Sequence, residues 1–229
     1  MIDSFRHYTG WNGVANRRNY VAPADPWGLV RVDPTAVVFY ALVPMKWGLG
    51  RVEGGNWDRP EERRRVDDLR IHDGLVQRFE EDRDWEETVY YEWITERLNE
   101  TGRFRGHSTV EAVLDQRCTA LDNIYEEMRT EGYRPNLGTV YDDPEDAEFV
   151  HDLEPMILIG REGEVLWTEG FHRLVLADLV GVDRVPVFVL VRHEEWQAVR
   201  DELATTSPEE RTRGLSRFEE HPDVRDLGV

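Results

Sequence analysis

Glu169-Gly170-Phe171-His172-Arg173 is the run whose residue types can do chemistry together. A glycine lets the backbone take a left-handed turn and come close to a ligand. The imidazole and guanidinium beside it supply donors suited to phosphate oxygens. The carboxylate of Glu169 is a candidate general base or metal-bridging group. A structural turn, in which His172 and Arg173 pair with nearby acids, would use the same residues for packing alone.

The surrounding elements decide how these groups are presented. Met156–Gly160 and Val165–Thr168 are short apolar runs flanking Arg161-Glu162-Gly163-Glu164, a spacing that predicts a tight β-hairpin. After Gly170 the apolar period lengthens: Leu174, Ala177 and Leu179-Val180 recur at helical spacing as far as Gly181, which suits a helix end needing positive φ. Val185–Val191 has the length and β-branched content of a buried strand. Gly170, His172 and Arg173 therefore fall where a strand hands over to a helix N-terminus, whose unpaired N–H groups and positive dipole end favour an anion. Gly170, Phe171, His172 and Arg173 are the expected ligand-holding residues, and Glu169 and His172 the catalytic candidates. His193, after the last strand, is expected to point into the same cleft.

This stretch resembles the ParB/sulfiredoxin-like superfamily. The resemblance is carried by Gly170-Phe171-His172-Arg173 as a Gly-x-His-Arg turn, Val185-Pro186-Val187 as the strand after the helix, and the pair Arg192-His193. It implies that the turn cradles nucleotide phosphates, with Gly170, His172 and Arg173 carried over residue by residue. Sulfiredoxins place a catalytic cysteine before the His-Arg pair, where this chain has Phe171; its single cysteine, Cys118, lies elsewhere. The Gly-Glu-Arg-Arg box and helix-turn-helix of chromosome-segregating ParB proteins are not evident after Arg173. The turn looks closest to the Asp-Gly-His-His-Arg pattern of the superfamily's free serine kinases. The resemblance thus implies an ATP, ADP or CTP ligand, with magnesium as its companion, and phosphotransfer to a small-molecule or protein acceptor, or nucleotide hydrolysis. A non-catalytic ParB-like module associated with DNA or regulation is the alternative, and a scaffold that has kept the fold without its ligand is a third.

Composition narrows the partners. The 229 residues carry a net charge of −19 with 33% charged residues, and Lys46 is the only lysine, leaving 28 − 1 = 27 arginines. Acid excess with almost no lysine matches the surface of a salt-adapted protein, where carboxylates hold water and salt screens their repulsion. An acidic protein from a GC-rich genome would read similarly. Such a charge disfavours nucleic acid and anionic membranes. Arg17-Arg18 and Arg63-Arg64-Arg65 are the only candidate basic patches, and acids crowd the second. One cysteine excludes an internal disulfide framework. With no apolar signal core and no membrane-length apolar run, a soluble cytoplasmic protein is expected.

Along the chain, Met1–Asp33 has little periodicity, and Trp11, Tyr20 and Trp27 are expected to pin it to a core. Val37–Val43 reads as a strand. The Gly54-Gly55-Asn56-Trp57-Asp58 loop is either a second wall of the site, with Asp58 as base or metal ligand, or an aromatic-anchored structural loop; no ligand spacing supports a metal, which favours the second. Pro60–Asp84 predicts one or two helices, and Trp85 begins another that ends at Gly102. The clearest helix starts at Ser108, with Ser108 and Glu111 at capping-box spacing and Gly132 after its end. Cys118 lies on its apolar stripe as a small buried hydrophobe, with Arg117 and Asp122 flanking and solvated. Tyr133–Pro155 reads as an acidic loop, in which His151-Asp152 is a weak candidate pair. Glu194–Ala204 and a short Pro208 helix capped by Ser207 follow, then a polar tail.

These readings predict one α+β domain over residues 1–229. Residues 1–150 form a helix-rich part with one strand, 151–205 the ParB/sulfiredoxin-like core, and 206–229 a final helix and tail. The small mixed β-sheet, with its Gly-x-His-Arg strand-turn-helix, carries Val37–Val43, Met156–Gly160, Val165–Thr168 and Val185–Val191, and helices cover it.

Overall fold

The alternation of β-branched and large apolar side chains around Val185 forms the centre of the architecture. In the computed structural model, which describes residues 2–134 and 153–228, Val185–His193 is a nine-residue strand with every residue buried. It is β7 of a mixed seven-stranded sheet. The first half supplies β1 (Leu29–Val32), β2 (Phe39–Tyr40), β3 (Arg51–Glu53) and β4 (Arg64–Arg65), and the second supplies β5 (Met156–Ile159), β6 (Val165–Glu169) and β7. The order is β1-β7-β5-β6-β2-β4, with β3 also paired to β7. β5 and β6 form the predicted antiparallel hairpin, and β5 runs parallel to β7. The turn is closed by Gly163 at φ 85°.

Period-two patterning sends side chains to two cores. Ile157, Ile159, Trp167, Val187 and Val189 face the helical side, whereas Met156, Leu158, Leu166, Phe188 and Leu190 pack with Phe5 and Leu49 on the other. The helices are α1 (Ile2–Asn19), α2 (Arg70–Phe79), α3 (Val89–Thr101), α4, α5 (Phe171–Val180), α6 (Glu194–Thr205) and the short α7 (Arg213–Ser216). α4 is composite: Val110–Ala112 continues through a π-helical stretch, Val113–Cys118, into Thr119–Glu131. α2 and α4 both pack on α5, so the helical half sits directly over the Gly170 turn. Among the described residues no helix is long and apolar enough to cross a membrane.

Several expectations change. The segment before Asp33 is not irregular: it contains α1, whose inward face is largely polar. Thr9 and Asn16 are buried, and Thr9 Oγ1 accepts the Leu49 N–H at 3.0 Å while Asn12 and Asn16 donate to the Leu49 and Gly50 carbonyls at 2.9 and 2.7 Å. Hydrophobic periodicity cannot register such a face. Trp27 does pack, edge-on to Phe188, but Trp11 is 74% exposed and pins nothing.

The strand predicted over Val37–Val43 is only Phe39–Tyr40, because Val37 closes a 3-10 turn at Pro34–Ala36 and Pro44 opens another. Trp85 lies in its own turn, and α3 begins after Thr88, whose Oγ1 accepts the Tyr91 N–H at 3.2 Å. Thr109, not Ser108, caps α4 by accepting the Ala112 N–H. The tail is not a solvated polar segment: Val224 and Asp223 are buried, and Asp223 takes hydrogen bonds from Arg192 at 2.6 Å and Trp196 at 2.9 Å. The Asp142–Asp146 run and His151-Asp152 lie outside the described residues.

Candidate functional site

Glu169 ends β6, and the chain turns through Gly170 at φ 82°, ψ 34° into α5. Only glycine suits this position: its conformation is left-handed, and a Cβ would stand 2.8 Å from Pro155 Cβ. No side chain caps the helix. The N–H groups of Phe171 and His172 make no hydrogen bond among the described residues, as expected of a first turn. Glu169 folds back to accept the Gly170 N–H at 3.2 Å. The turn opens onto a cleft of about 210 Å³ lined by Glu169, Gly170, His172 and Arg173, with Arg105 and Arg117 from the helical half opposite.

His172 sits in that wall with both ring nitrogens engaged. Nε2 is 3.0 Å from Tyr90 Oη, and Nδ1 is 3.4 Å from Arg117 Nη2. A guanidinium only donates, so Nδ1 accepts and the proton of the neutral ring lies on Nε2, donating to the phenol. Arg117 Nε also donates to Tyr90 Oη, at 3.1 Å. Burial, then the charges of Arg117 and Arg105, hold the imidazole pKa well below 6.5. The ring therefore stays neutral and orients Arg117; as built, it offers no free nitrogen to a ligand.

Arg117 was expected to be solvated beside an apolar stripe, and instead it reaches this cleft. The π-helical stretch that carries it adds a residue to the local turn and alters which side chains share a face, and such stretches are frequent at functional sites. Asp122 is likewise engaged, accepting from Arg78 at 3.1 Å and from Trp85 Nε1 at 3.1 Å. Arg105 occupies the tip of the Phe104–His107 bridge at φ 44°, exposed as a residue but lining the cleft. Desolvation first, and the Arg117 charge second, lower its pKa. Neither Arg105, Arg117 nor Tyr90 was singled out by the sequence as a site residue.

The remaining candidates divide. Arg173 lines the cleft but is tied to its wall: it donates to Tyr133 Oη at 3.2 Å and lies 4.0 Å from Glu154, to which Tyr133 donates at 2.7 Å. This is in part the structural pairing foreseen for the turn. The Phe171 side chain packs into the helical-side core, edge-on to Tyr40 with centroids 5.2 Å apart, so only its backbone can serve a ligand. His193 is not in the cleft. Met156 pairs with both Glu169 and Phe188, which places His193 five residues further along β7, roughly 16 Å away at ~3.3 Å per residue. There its Nδ1 accepts the Glu195 N–H at 3.2 Å, capping α6, and its Nε2 donates to the Gly55 carbonyl at 3.2 Å.

The Gly54–Asp58 loop closes the same far end and is structural. Asp58, buried, accepts from Arg161 through Nη2 at 2.7 Å and through the backbone N–H at 2.7 Å, locking the loop to the β5–β6 hairpin. Burial alone would raise the Asp58 pKa, but the hydrogen bonds and charge of Arg161 outweigh it and hold the carboxyl at about 2. Cys118 is buried, its thiol pushed up to about 12 chiefly by desolvation, and it serves as packing. Among the described residues no group of three His, Cys, Asp or Glu side chains converges to hold a metal. No protein-family model matches the chain, and neither the curated proteins nor the solved structures contain a match to it.

Proposed function

We propose that the cleft binds a nucleotide (ATP, ADP or CTP) through its phosphates, and that Glu169 is the base for phosphoryl transfer to a hydroxyl acceptor or to water. The observation that carries the reading is the pair Arg105 and Arg117: both line the cleft, and neither makes an ion pair with a carboxylate among the described residues. Guanidinium donors beside the open N–H groups of a helix N-terminus are suited to phosphate oxygens. The Gly170 turn supports the same reading, as does its resemblance to the ParB/sulfiredoxin-like signature. Glu169 is the one carboxylate among the described lining residues, which singles it out as the base and leaves any magnesium ion that arrives with the nucleotide to its phosphates and water. His172 enters as a positioning residue for Arg117.

Titration calorimetry with ATP, ADP and CTP, each with and without magnesium, tests binding. Arg117→Gln should weaken it by about 1.5–3 kcal/mol, the range for a hydrogen bond to a charged group. Glu169→Gln should keep binding and lose turnover. Undiminished binding in Arg117→Gln would remove the cleft from consideration as the nucleotide site.

A further inference from the structure

We propose that Arg105 and Arg117 form a two-guanidinium clamp for one dianionic phosphoryl group, so that the cleft reads the phosphate end of its ligand and leaves any base outside. This rests on the nucleotide reading for its choice of ligand and on the cleft for its geometry.

Acidic residues outnumber Lys and Arg 47 to 28, and the buried guanidiniums among the described residues find carboxylates: Arg192 meets Asp223 at 2.6 Å and Arg200 meets Asp226 at 2.8 Å. Arg117 instead bonds only to a phenol and a neutral imidazole, and Arg105 makes no hydrogen bond or ion pair among the described residues. Arg105 and Arg117 repel each other, and Glu169, though it acts favourably on Arg105, ion-pairs with neither; a ligand carrying two negative charges removes the repulsion and satisfies both forks.

Arg105 is one of two non-glycine residues with positive φ among the described residues, a conformation a β-carbon disfavours and that packing must enforce. Arg117 rides on the π-helical stretch. Both departures from regular backbone thus bring a cation to the same cleft, from two separate parts of the helical half.

A volume of about 210 Å³ lies below the roughly 300 Å³ at which pockets begin to hold drug-sized ligands. It accommodates a phosphoryl group and a short arm. The described lining of the cleft contains no Phe, Tyr or Trp, so it offers a nucleotide's base no aromatic platform to stack on.

Competition calorimetry with pyrophosphate, ATP, GTP and CTP tests the clamp. The expected result is dissociation constants within about threefold of one another, mutual displacement, and a loss of about tenfold or more for every ligand in Arg105→Gln. Arg105 makes no hydrogen bond or ion pair among the described residues, so this variant should melt with the wild type, and the affinity of Arg105→Lys, which keeps the charge and loses the fork, should fall between the two. One nucleotide binding more than about thirtyfold tighter than pyrophosphate would overturn the base-blind inference while leaving nucleotide binding intact. Pyrophosphate binding without any nucleotide binding would uphold the clamp and remove the nucleotide. Binding by none of the four would end both, and equal affinity in Arg105→Gln would end the clamp.

Discussion

Tyr90 Oη and His172 Nε2 meet at 3.0 Å although the residues lie 82 positions apart in the chain. This contact fastens α3 to the first turn of α5, and Arg117 completes the triangle by donating to both partners. The histidine of the Gly-x-His-Arg turn thereby acts on the cleft through an arginine from another helix.

Replacing the phenol tests that arrangement. Tyr90→Phe keeps the ring packing against Trp85 and Trp93 but removes the acceptor of Arg117 Nε–H and His172 Nε2–H. Stability should fall by about 1–3 kcal/mol, the cost of leaving buried donors unsatisfied. Urea unfolding measures it, and a variant as stable as wild type would mean that the triangle contributes nothing to the fold.

The neutral state of His172 has a pH signature. Its folded pKa lies well below 6.5, mainly through burial and then through Arg117 and Arg105, so the unfolded chain takes up the proton first. The stability gained is full above about pH 6.5 and is lost as pH falls below that value toward the lowered folded pKa. His221, lowered chiefly by burial, adds a change of the same sign. The urea midpoint should drop between about pH 7.5 and about pH 5.5, and the drop should shrink in His172→Gln, whose amide can donate and accept in the same places without titrating. An unchanged slope in that variant would contradict the assignment.

Asp58 should govern acid stability instead. Its pKa is held at about 2 against an ordinary 3.8; the stabilisation is present above about pH 4 and disappears as pH falls toward 2. Asp58→Asn removes the nearer of the two carboxylates that Arg161 meets, leaving Glu195 at 3.3 Å, and should lower stability at neutral pH by about 1.5–3 kcal/mol, the range for hydrogen bonds to a charged group, with the acid-unfolding transition made less steep. Circular dichroism across the acid range checks both, and a neutral effect at pH 7 would show that the hairpin does not need this clamp.

Net charge −19 with one lysine gives the last expectation. Screening of carboxylate repulsion should raise the melting temperature as potassium chloride goes from about 0.1 M to about 2 M. Melting curves that stay flat or shift downward would exclude salt adaptation.

By itself, the sequence determined the elements whose causes are local. The β5–β6 hairpin, the glycine turn at 170, α5 with Gly181 after its end, and the buried β7 all follow from period, turn chemistry and β-branched content within about 40 consecutive residues. Cys118 was readable as packing for the same reason. Which residues meet across the cleft was decided by tertiary structure. Arg105 and Arg117 come from segments more than 50 positions before the turn, and their role depends on how α4 packs on α5 and on a π-helical stretch that hydrophobic spacing does not announce. His193 follows the same logic in reverse: its place after the last strand suggests the cleft, but the parallel register of β5 and β7 carries it to the far end of the sheet. α1 escaped notice because its inward face satisfies backbone carbonyls with Asn12 and Asn16 instead of burying a continuous apolar stripe. Periodicity records only what a segment withdraws from water, whereas a site depends on which polar groups from distant segments are brought within hydrogen-bonding distance, and that is set by packing.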